Sequence, residues 1–285
     1  MKEYKSCKEA VSDCIKNKYF SIAHLHTEEE TMSIHIHDCY EIYYSISGGQ
    51  QFLIANKLYD IKPGDLFVIN QFESHYVSQI NKQVHERIVI SIHPDFLKSV
   101  SSSKTDLEYC FTHRNVENFS HKIELDKGQQ NRFIYFISKI LSAEGFGSDR
   151  IEYSCFIELV TYLTKMFVDN KNSTLSYYKY NNQAQEIISY INDNVLKDIT
   201  VKHLAEHFFL SESYICRIFK QTTGTTINKY ITARRISIAK SKLSNGTAIS
   251  DVYLQCGFND YSNFLKSFKK AVGVSPKKYS TFSMD

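Results

Sequence analysis

The stretch Ser211–Tyr230, with the sequence SESYICRIFKQTTGTTINKY, has a counterpart that begins 49 residues later at Asp260 and reads DYSNFLKSFKKAVGVSPKKY. The same shift superposes Phe219 on Phe268, Lys220 on Lys269, Gly224 on Gly273 and Tyr230 on Tyr279. In each copy an apolar pair is spaced four residues apart, Ile215/Phe219 and Phe264/Phe268, so both of its members lie on one face of a helix. The repeat predicts two copies of one helical unit.

A short amphipathic segment and a break precede each copy. The first copy follows TVKHLAEHFFLSE, with a polar break at Leu210 and Ser211, and the second lies in ISDVYLQCGFNDYS. In the second, Gly257 suits a turn and Asp260 suits a helix N-cap. This order is that of a helix-turn-helix unit.

The segment between the copies contains no helix breaker from Ile227 to Leu243. It predicts a connecting helix of about 17 residues, which would hold the units about 25–35 Å apart. One turn of B-DNA is about 34 Å, so the two units would enter successive major grooves.

The face of each unit opposite its apolar pair is polar and basic. A guanidinium such as that of Arg217 bonds O6 and N7 of guanine together, while Asn suits adenine and Lys suits guanine or phosphate. The residues predicted to contact DNA are Ser213, Cys216, Arg217, Lys220, Tyr261, Ser262, Asn263, Lys266 and Lys269.

These segments together resemble the AraC/XylS family of transcription regulators. The resemblance is carried by SYICRIFK at 213–220, RISIAKSKL at 235–243, GFNDYSNFLKSFKK at 257–270 and GVSPKKY at 273–279. Asn263 stands where the family usually has an aromatic residue, and Leu265 and Lys266 replace a common Ser-Arg pair, which bears on base preference. The resemblance implies a non-enzymatic regulator, most often an activator that contacts RNA polymerase, that forms a homodimer.

The N-terminal part predicts strands. Apolar and polar residues alternate in SIHIH, EIYYSIS, QQFLIA, KLYDI, DLFVINQ and RIVISIH, with turn residues between the runs. Helical spacing then returns at about 127–142 and 150–168, and its surplus of apolar residues fits either an intradomain core or an exposed dimer seam.

We therefore predict an α+β fold with an N-terminal cupin-like β-barrel and a C-terminal all-α domain. The predicted divisions are a cupin-like effector-binding domain at 1–125, a helical dimerisation segment at 126–168, a linker at 169–182 and a double helix-turn-helix domain at 183–285.

The segment His35–Gly48 resembles the first motif of the cupin barrel. The second motif is degraded, because Gly64, Asp65 and His75 are in place but Asn70 and Phe72 replace its Pro and Gly. If 33–37 is a strand, His35 and His37 share a face and converge with Glu41 and His75.

Three interpretations of these residues stay open. Three imidazoles and a carboxylate suit Zn, Mn, Fe or Ni, or the side chains only satisfy hydrogen bonds inside the barrel. The third, which we favour, is a site without metal or other cofactor for a small polar metabolite such as a sugar, formed by His35, His37, Glu41, Tyr43 and His75, with Tyr44 beside it.

Composition and charge limit the class of protein. The chain has 285 residues, is 42% hydrophobic and has 20 Tyr and 19 Phe, which excludes disordered and collagen-like classes. Residues 182–285 carry 14 Lys and Arg against 8 Asp and Glu, whereas residues 1–181 carry 20 against 23. A basic C-terminal third favours nucleic acid as a partner, although a solvated helical surface gives the same charge.

The expected location is the cytoplasm, without contact with a membrane. No apolar run approaches the length of a membrane span, the start lacks the apolar core of a secretory signal, and seven scattered Cys indicate free thiols. Two alternatives are a cupin metalloenzyme with an accessory helical domain and a nucleoid-type binder whose affinity follows salt rather than sequence.

Overall fold

The computed structural model describes residues 3–27, 35–49, 51–55, 57–78, 84–112, 120–169, 182–223 and 225–284. Most of the predicted linker, and Gly224 of the first repeat, lie outside these residues. The chain begins with helix α1 (Cys7–Asn17), whose N-terminus is capped by Ser6; the sequence patterns did not predict this helix.

The N-terminal part contains two antiparallel sheets. Its described strands are β1 (Phe20–Thr27), β2 (Tyr40–Ser47), β3 (Gln51–Ile54), β4 (Lys57–Asp60), β5 (Leu66–Ile69), β6 (His75–Ser78), β7 (His85–Ile92) and β8 (Lys122–Ile123). Five of them form a sheet in the order β1-β7-β2-β5-β8, and three form a sheet in the order β4-β3-β6. The predicted α+β class with a cupin-like sheet domain is confirmed, but the barrel is open, since the described strands form two sheets and not one closed ring.

Alternation along the strands sends side chains to two different cores. On β2, Tyr43 joins residues of both sheets in the interior between them, whereas Ile42 and Tyr44 face the opposite side. That side is covered by α2 (Pro94–Val100), α3 (Tyr109–Thr112), α4 (Lys127–Leu141) and α5 (Ser148–Asp169). The two longest of these helices confirm the helical spacing at 127–142 and 150–168, and most of their apolar stripe is intradomain core.

The described residues of the C-terminal part form only helices and the short connections between them. It contains α6 (Asn182–Asp193), α7 (Val201–Phe208), α8 (Glu212–Thr223), α9 (Ile227–Ser244), α10 (Ile249–Gln255), α11 (Tyr261–Val272) and α12 (Pro276–Met284). Thr200, Thr226 and Asp260 cap α7, α9 and α11 with their side chains. The predicted connecting helix is therefore present as α9, with 18 residues.

Each helix-turn-helix unit is anchored in a separate core. Ile215 and Phe219 of α8 are buried among residues of α6, α7 and the first half of α9, and this core also includes Leu53 of β3 and Tyr76 of β6. Phe264 and Phe268 of α11 are buried among residues of α10, α12 and the second half of α9. The four-residue apolar pairs are thus the core anchors that the repeat predicts, and α9 joins the two cores.

Gly257 occupies the turn between α10 and α11 with φ +82°. A Cβ at this position would lie 2.9 Å from both the Cα and the carbonyl oxygen of Leu196. The turn needs glycine for its backbone conformation and for the close approach of the chain that follows α6.

Candidate functional site

The two candidate reader helices, α8 and α11, expose the side chains predicted to contact DNA. All nine are exposed, namely Ser213, Cys216, Arg217, Lys220, Tyr261, Ser262, Asn263, Lys266 and Lys269. Each reader helix therefore buries its apolar pair and presents a polar, cationic face to solvent, which is the arrangement that groove recognition requires.

Local contacts hold some of these side chains in place. The guanidinium of Arg217 lies 5.4 Å from the ring centre of Tyr214, whose hydroxyl donates a hydrogen bond to Gln183 on α6. On α11 the side-chain oxygen of Asn263 accepts a hydrogen bond from Ser267, one turn further along the helix. Because Arg217 is held against the Tyr214 ring, less side-chain entropy is lost when it contacts a base.

Four side chains of the N-terminal part converge on one point: His35, His37, Glu41 and His75, which we name the His–Glu cluster. One potential ligand atom from each residue lies within 4.8 Å of those from the other three. Nε2 of His37 is 2.9 Å from a carboxylate oxygen of Glu41, and Nε2 of His75 is 3.8 Å from that oxygen. His35 is partly exposed, whereas the other three are buried.

The cluster is assembled by loops as much as by strands. Residues 35–37 do not form the predicted strand, and His35 makes only an isolated backbone bridge with His75 at the start of β6. The predicted convergence is nevertheless present, because this bridge and Glu41 on β2 bring the four side chains together.

Backbone carbonyls orient two of the imidazoles. Nδ1 of His37 is 2.9 Å from the carbonyl oxygen of Cys39, and Nδ1 of His75 is 2.9 Å from that of Glu73. A ring nitrogen that faces a carbonyl carries the proton, so Nδ1 is protonated in both residues. The other nitrogen of each ring, Nε2, faces the cluster. Nε2 of His75 is buried and has no hydrogen-bond partner among the described residues.

The pKa values of the buried members of the cluster are shifted in different directions. Burial would raise the pKa of Glu41, but the imidazoles of His75 and His37 lower it to about 2. Burial would lower the pKa of His37, but its contacts with Cys39 and Glu41 raise it well above the usual value. Burial and the neighbouring His35 hold the pKa of His75 well below its usual value. Near neutral pH the cluster therefore contains the Glu41 carboxylate, a protonated His37 and a neutral, buried His75.

The two tyrosines considered with this site lie in different places. The hydroxyl of Tyr43 bonds with Nε2 of His85, and its ring packs against Phe52 and Phe67 in the interior between the sheets. Tyr44 stacks on Phe133 of α4, on the other side of the sheet. Tyr44 therefore does not line the interior that contains the cluster, because neighbouring residues of a strand point to opposite faces.

The loops that carry the cluster also contact α9. Asp38, next to His37, forms an ion pair with Lys240, and the hydroxyl of Ser237 donates a hydrogen bond to the carbonyl oxygen of Phe72. The backbone N–H of Phe72 in turn donates to the carbonyl of His37 at 2.9 Å. Near the start of α9, the Tyr230 hydroxyl donates to the carbonyl of Ala55 at 2.6 Å.

These contacts were not predicted, although one signal was present in the sequence. Ile236, Ala239, Lys240 and Leu243 follow the spacing of a buried helical stripe, and all four are buried. A lysine in such a stripe indicates a paired, buried charge.

Phe72 has a φ of +59°, a left-handed backbone conformation that favours glycine. This conformation explains why the cupin motif has glycine at the position that Phe72 occupies.

Comparisons with known proteins match both parts of the chain. A model described as an AraC-like ligand binding domain matches residues 17–137, and a model described as a helix-turn-helix domain matches residues 204–281. None of the described helices is long and apolar enough to cross a membrane.

Three relatives are regulators. The melibiose operon regulatory protein of Escherichia coli K12 is 32% identical over 40% of this chain, and the match spans only 37% of that protein's length. The raffinose operon transcriptional regulatory protein RafR of Pediococcus pentosaceus is 24% identical, covering 86% of this chain and 85% of its own. An HTH-type transcriptional regulator in the cgkA 5′ region of Pseudoalteromonas carrageenovora is 34% identical, covering 40% of this chain and 70% of its own.

Proposed function

The chain belongs to the AraC family of transcriptional regulators, and on this premise we propose that it binds specific promoter sequences through both helix-turn-helix units under the control of a small polar molecule. The observation that carries the proposal is the duplicated unit, in which buried apolar pairs fix α8 and α11 while the opposite faces expose polar and cationic side chains. Relatives named as regulators, not enzymes, support the prediction that the chain is not an enzyme and leave the cupin metalloenzyme without support.

The spacing of the readers supports binding in successive major grooves. Helix α9 has 18 residues and is thus about 27 Å long at 1.5 Å per residue. Its two halves belong to separate cores, each of which contains one reader helix. A rigid connector of this length fits reader helices about one DNA turn, or about 34 Å, apart.

Gel-shift titrations with two variants test this proposal. Arg217→Ala should cost about 1–3 kcal/mol and relax preference at one base pair, because a bidentate base contact is lost. Lys269→Ala should weaken binding to all sequences alike and reduce the salt slope by about one, because a phosphate contact is lost. Lys104→Ala removes the same charge from an exposed position in the N-terminal part and serves as the control.

Unchanged operator affinity of the Arg217→Ala variant would contradict the proposed docking. Binding by the wild type that follows salt but not sequence would instead support a nucleoid-type binder.

We further propose that the effector is a small polar metabolite of the sugar class. Two relatives are named for the melibiose and raffinose operons, and imidazole and carboxylate groups hydrogen-bond hydroxyls. The proposed contacts are His35, His37, Glu41, Tyr43 and His75. Calorimetric titration with melibiose and raffinose should detect binding to the wild type and a loss of binding in the His75→Ala variant; no heat with either sugar contradicts this assignment.

The route from effector to DNA runs through α9 in this proposal. A ligand that repositions the loops at 37–39 and 72–75 acts on the ion pair of Asp38 with Lys240 and on the contact of Phe72 with Ser237. Because α9 carries both reader units, these contacts bias where the readers stand relative to the sensor.

Dimerisation and activation complete the proposal. Residues 126–168 would form the homodimer contact, with 169–182 as the linker between residues 1–125 and 183–285. Exposed apolar side chains along α4, the turn that follows it and the start of α5 support this surface: Ile134, Tyr135, Leu141, Phe146 and Ile151. As an activator in the cytoplasm the chain would contact RNA polymerase. Expression from a target promoter fused to a reporter should then be lost when the gene for this chain is deleted.

A further inference from the structure

Three metal-ligating side chains meet on the outer surface of the five-stranded sheet, away from the His–Glu cluster. They are His24 and His26 of β1 and Glu86 of β7, and one potential ligand atom of each lies within 4.8 Å of those of the other two. We propose that these three side chains, the outer group, bind one divalent transition-metal ion such as Zn²⁺, with water completing its coordination. The outer group shares no residue with the effector site, and the proposal does not depend on that site.

The alternation of side chains along β1 places the two imidazoles on the outer face of the sheet. Leu25 points into the interior between the two sheets, whereas Ile22 packs under the helices that cover the opposite side. His24 and His26 share the face of Ile22, because every second residue of a strand points the same way. Their side chains are 43% and 55% exposed, so the helices do not cover this end of the strand and an ion reaches it from solvent.

The antiparallel pairing of β1 with β7 holds the three ligands in register. His26 lies directly opposite Glu86, and His24 lies opposite Ile88, two residues further along β7. Directly opposite residues have Cβ atoms about 4.5–5.5 Å apart and diagonal neighbours about 7–8 Å, and long side chains bridge both separations. Each residue from Phe20 to Thr27 is paired with β7. The backbone that carries the ligands is therefore fixed before an ion binds.

Distances within the outer group fit a shared ion. One carboxylate oxygen of Glu86 is 2.8 Å from Nε2 of His24 and 3.8 Å from Nε2 of His26. Two ligand atoms that lie about 2.1 Å from one ion are about 3.0–3.4 Å apart at octahedral and tetrahedral angles. Imidazoles bound at those angles have ring centres about 4.5–5.2 Å apart, and the centres of the two rings here are 4.6 Å apart. Small side-chain rotations thus bring all three ligand atoms to one ion.

The charges around Glu86 leave room for a cation. Among the described residues its ion pairs are with the two imidazoles and with no lysine or arginine, and an imidazole is a cation only when it is protonated. A divalent ion supplies the positive charge that this carboxylate lacks and accepts the lone pairs of two neutral imidazoles. The ion would also join the edge strand β1 to β7 through side chains, in addition to their backbone hydrogen bonds.

Calorimetric titration of the full-length chain with Zn²⁺ tests the proposal. The double variant His24→Gln/His26→Gln should bind one ion per chain fewer than the wild type, and Glu86→Gln should weaken the binding of this ion at least tenfold. His207→Gln removes an exposed imidazole from the C-terminal part and is the matched control, which should bind Zn²⁺ as the wild type does.

Hydrogen exchange of the wild type locates the ion without any variant. Saturating Zn²⁺ should slow exchange at the end of β1 and the start of β7, because only a bound chain gains the link between the two strands. The proposal is overturned by the absence of saturable binding, by equal stoichiometry in the wild type and the double variant, or by loss of the ion in the His207→Gln variant. Unchanged exchange in both strands at saturation overturns it as well, and the three side chains then form a surface ion pair only.

Discussion

The ion pair between Lys240 of α9 and Asp38 joins the sensor to the DNA-binding part of the chain. The proposed perturbation replaces each partner by a side chain of similar shape, Lys240→Met and Asp38→Asn, singly and together. Lys229→Met removes a charge from an exposed position on the same helix and is the matched control.

Burial sets the expected magnitude. The side chain of Lys240 is 6% exposed and that of Asp38 is 27% exposed. Breaking a fully buried pair costs about 3–5 kcal/mol, whereas exposed pairs contribute about 0–1 kcal/mol. A pair between these limits should lose about 2 kcal/mol when one partner is removed, which is about a 30-fold change in the equilibrium between docked and released α9.

Urea unfolding of the wild type, the two single variants and the double variant yields the coupling free energy of the pair. We expect a coupling of about 1–2 kcal/mol, because removing the second partner costs little once the first is gone. Hydrogen exchange should become faster in α9 in both single variants. Additivity of the two substitutions within about 0.3 kcal/mol, or an equal effect of Lys229→Met, would refute the reasoning.

Three further predictions concern other parts of the molecule. Gly257→Ala should lower the free energy of unfolding by about 2–4 kcal/mol, because the new Cβ would lie 2.9 Å from backbone atoms of Leu196. Gly273→Ala should cost less, because its Cβ would meet nothing within 4 Å, and urea titrations measure both variants. Burial lowers the pKa of His85 to about 4, so the unfolded chain binds the proton more readily, and the folded state loses stability as pH falls from about 6.5 toward 4. His85→Gln should therefore reduce the difference in the free energy of unfolding between about pH 7 and pH 5 by about 2 kcal/mol, as measured by urea titration. The double substitution Ile134→Glu and Leu141→Glu should convert a dimer to a monomer in sedimentation. An unchanged dimer would exclude the exposed face of α4 as the dimer contact.

The C-terminal fold could be predicted from sequence because its signals are local. Apolar residues four apart, capping residues and one turn glycine each act within a few positions, and repetition at a shift of 49 residues doubled the signal. The helix of residues 227–244 appeared where breakers were absent. The exposed reader faces followed, since burying one face of an amphipathic helix leaves the other in solvent.

The N-terminal site was only partly predictable because its contacts are not local. His35 and His75 are far apart in sequence and meet through a backbone bridge, not through the strand that alternation suggested. The placement of Tyr44 beside Tyr43 at the site was wrong, because neighbouring residues of a strand point to opposite faces, and Tyr44 packs under the helices that cover the sheet. The capped helix at 7–17 could have been predicted, because its apolar residues Cys7, Ala10, Val11, Cys14 and Ile15 follow helical spacing behind the capping residue Ser6.

Lys240 lies between the sensor and the second helix-turn-helix unit. Its ammonium lies 5.7 Å from the ring of Phe72 in the sensor and 5.7 Å from that of Tyr279, which belongs to the core of the second reader unit. A charge held between two parts of a chain is stable only while both supply partners, so loss of the sensor contact leaves it uncompensated. A ligand that moves Asp38 or Phe72 therefore acts first on the half of α9 that carries the second reader. The second unit should accordingly respond to effector through Lys240, and hydrogen exchange of α11 should change when the site is filled.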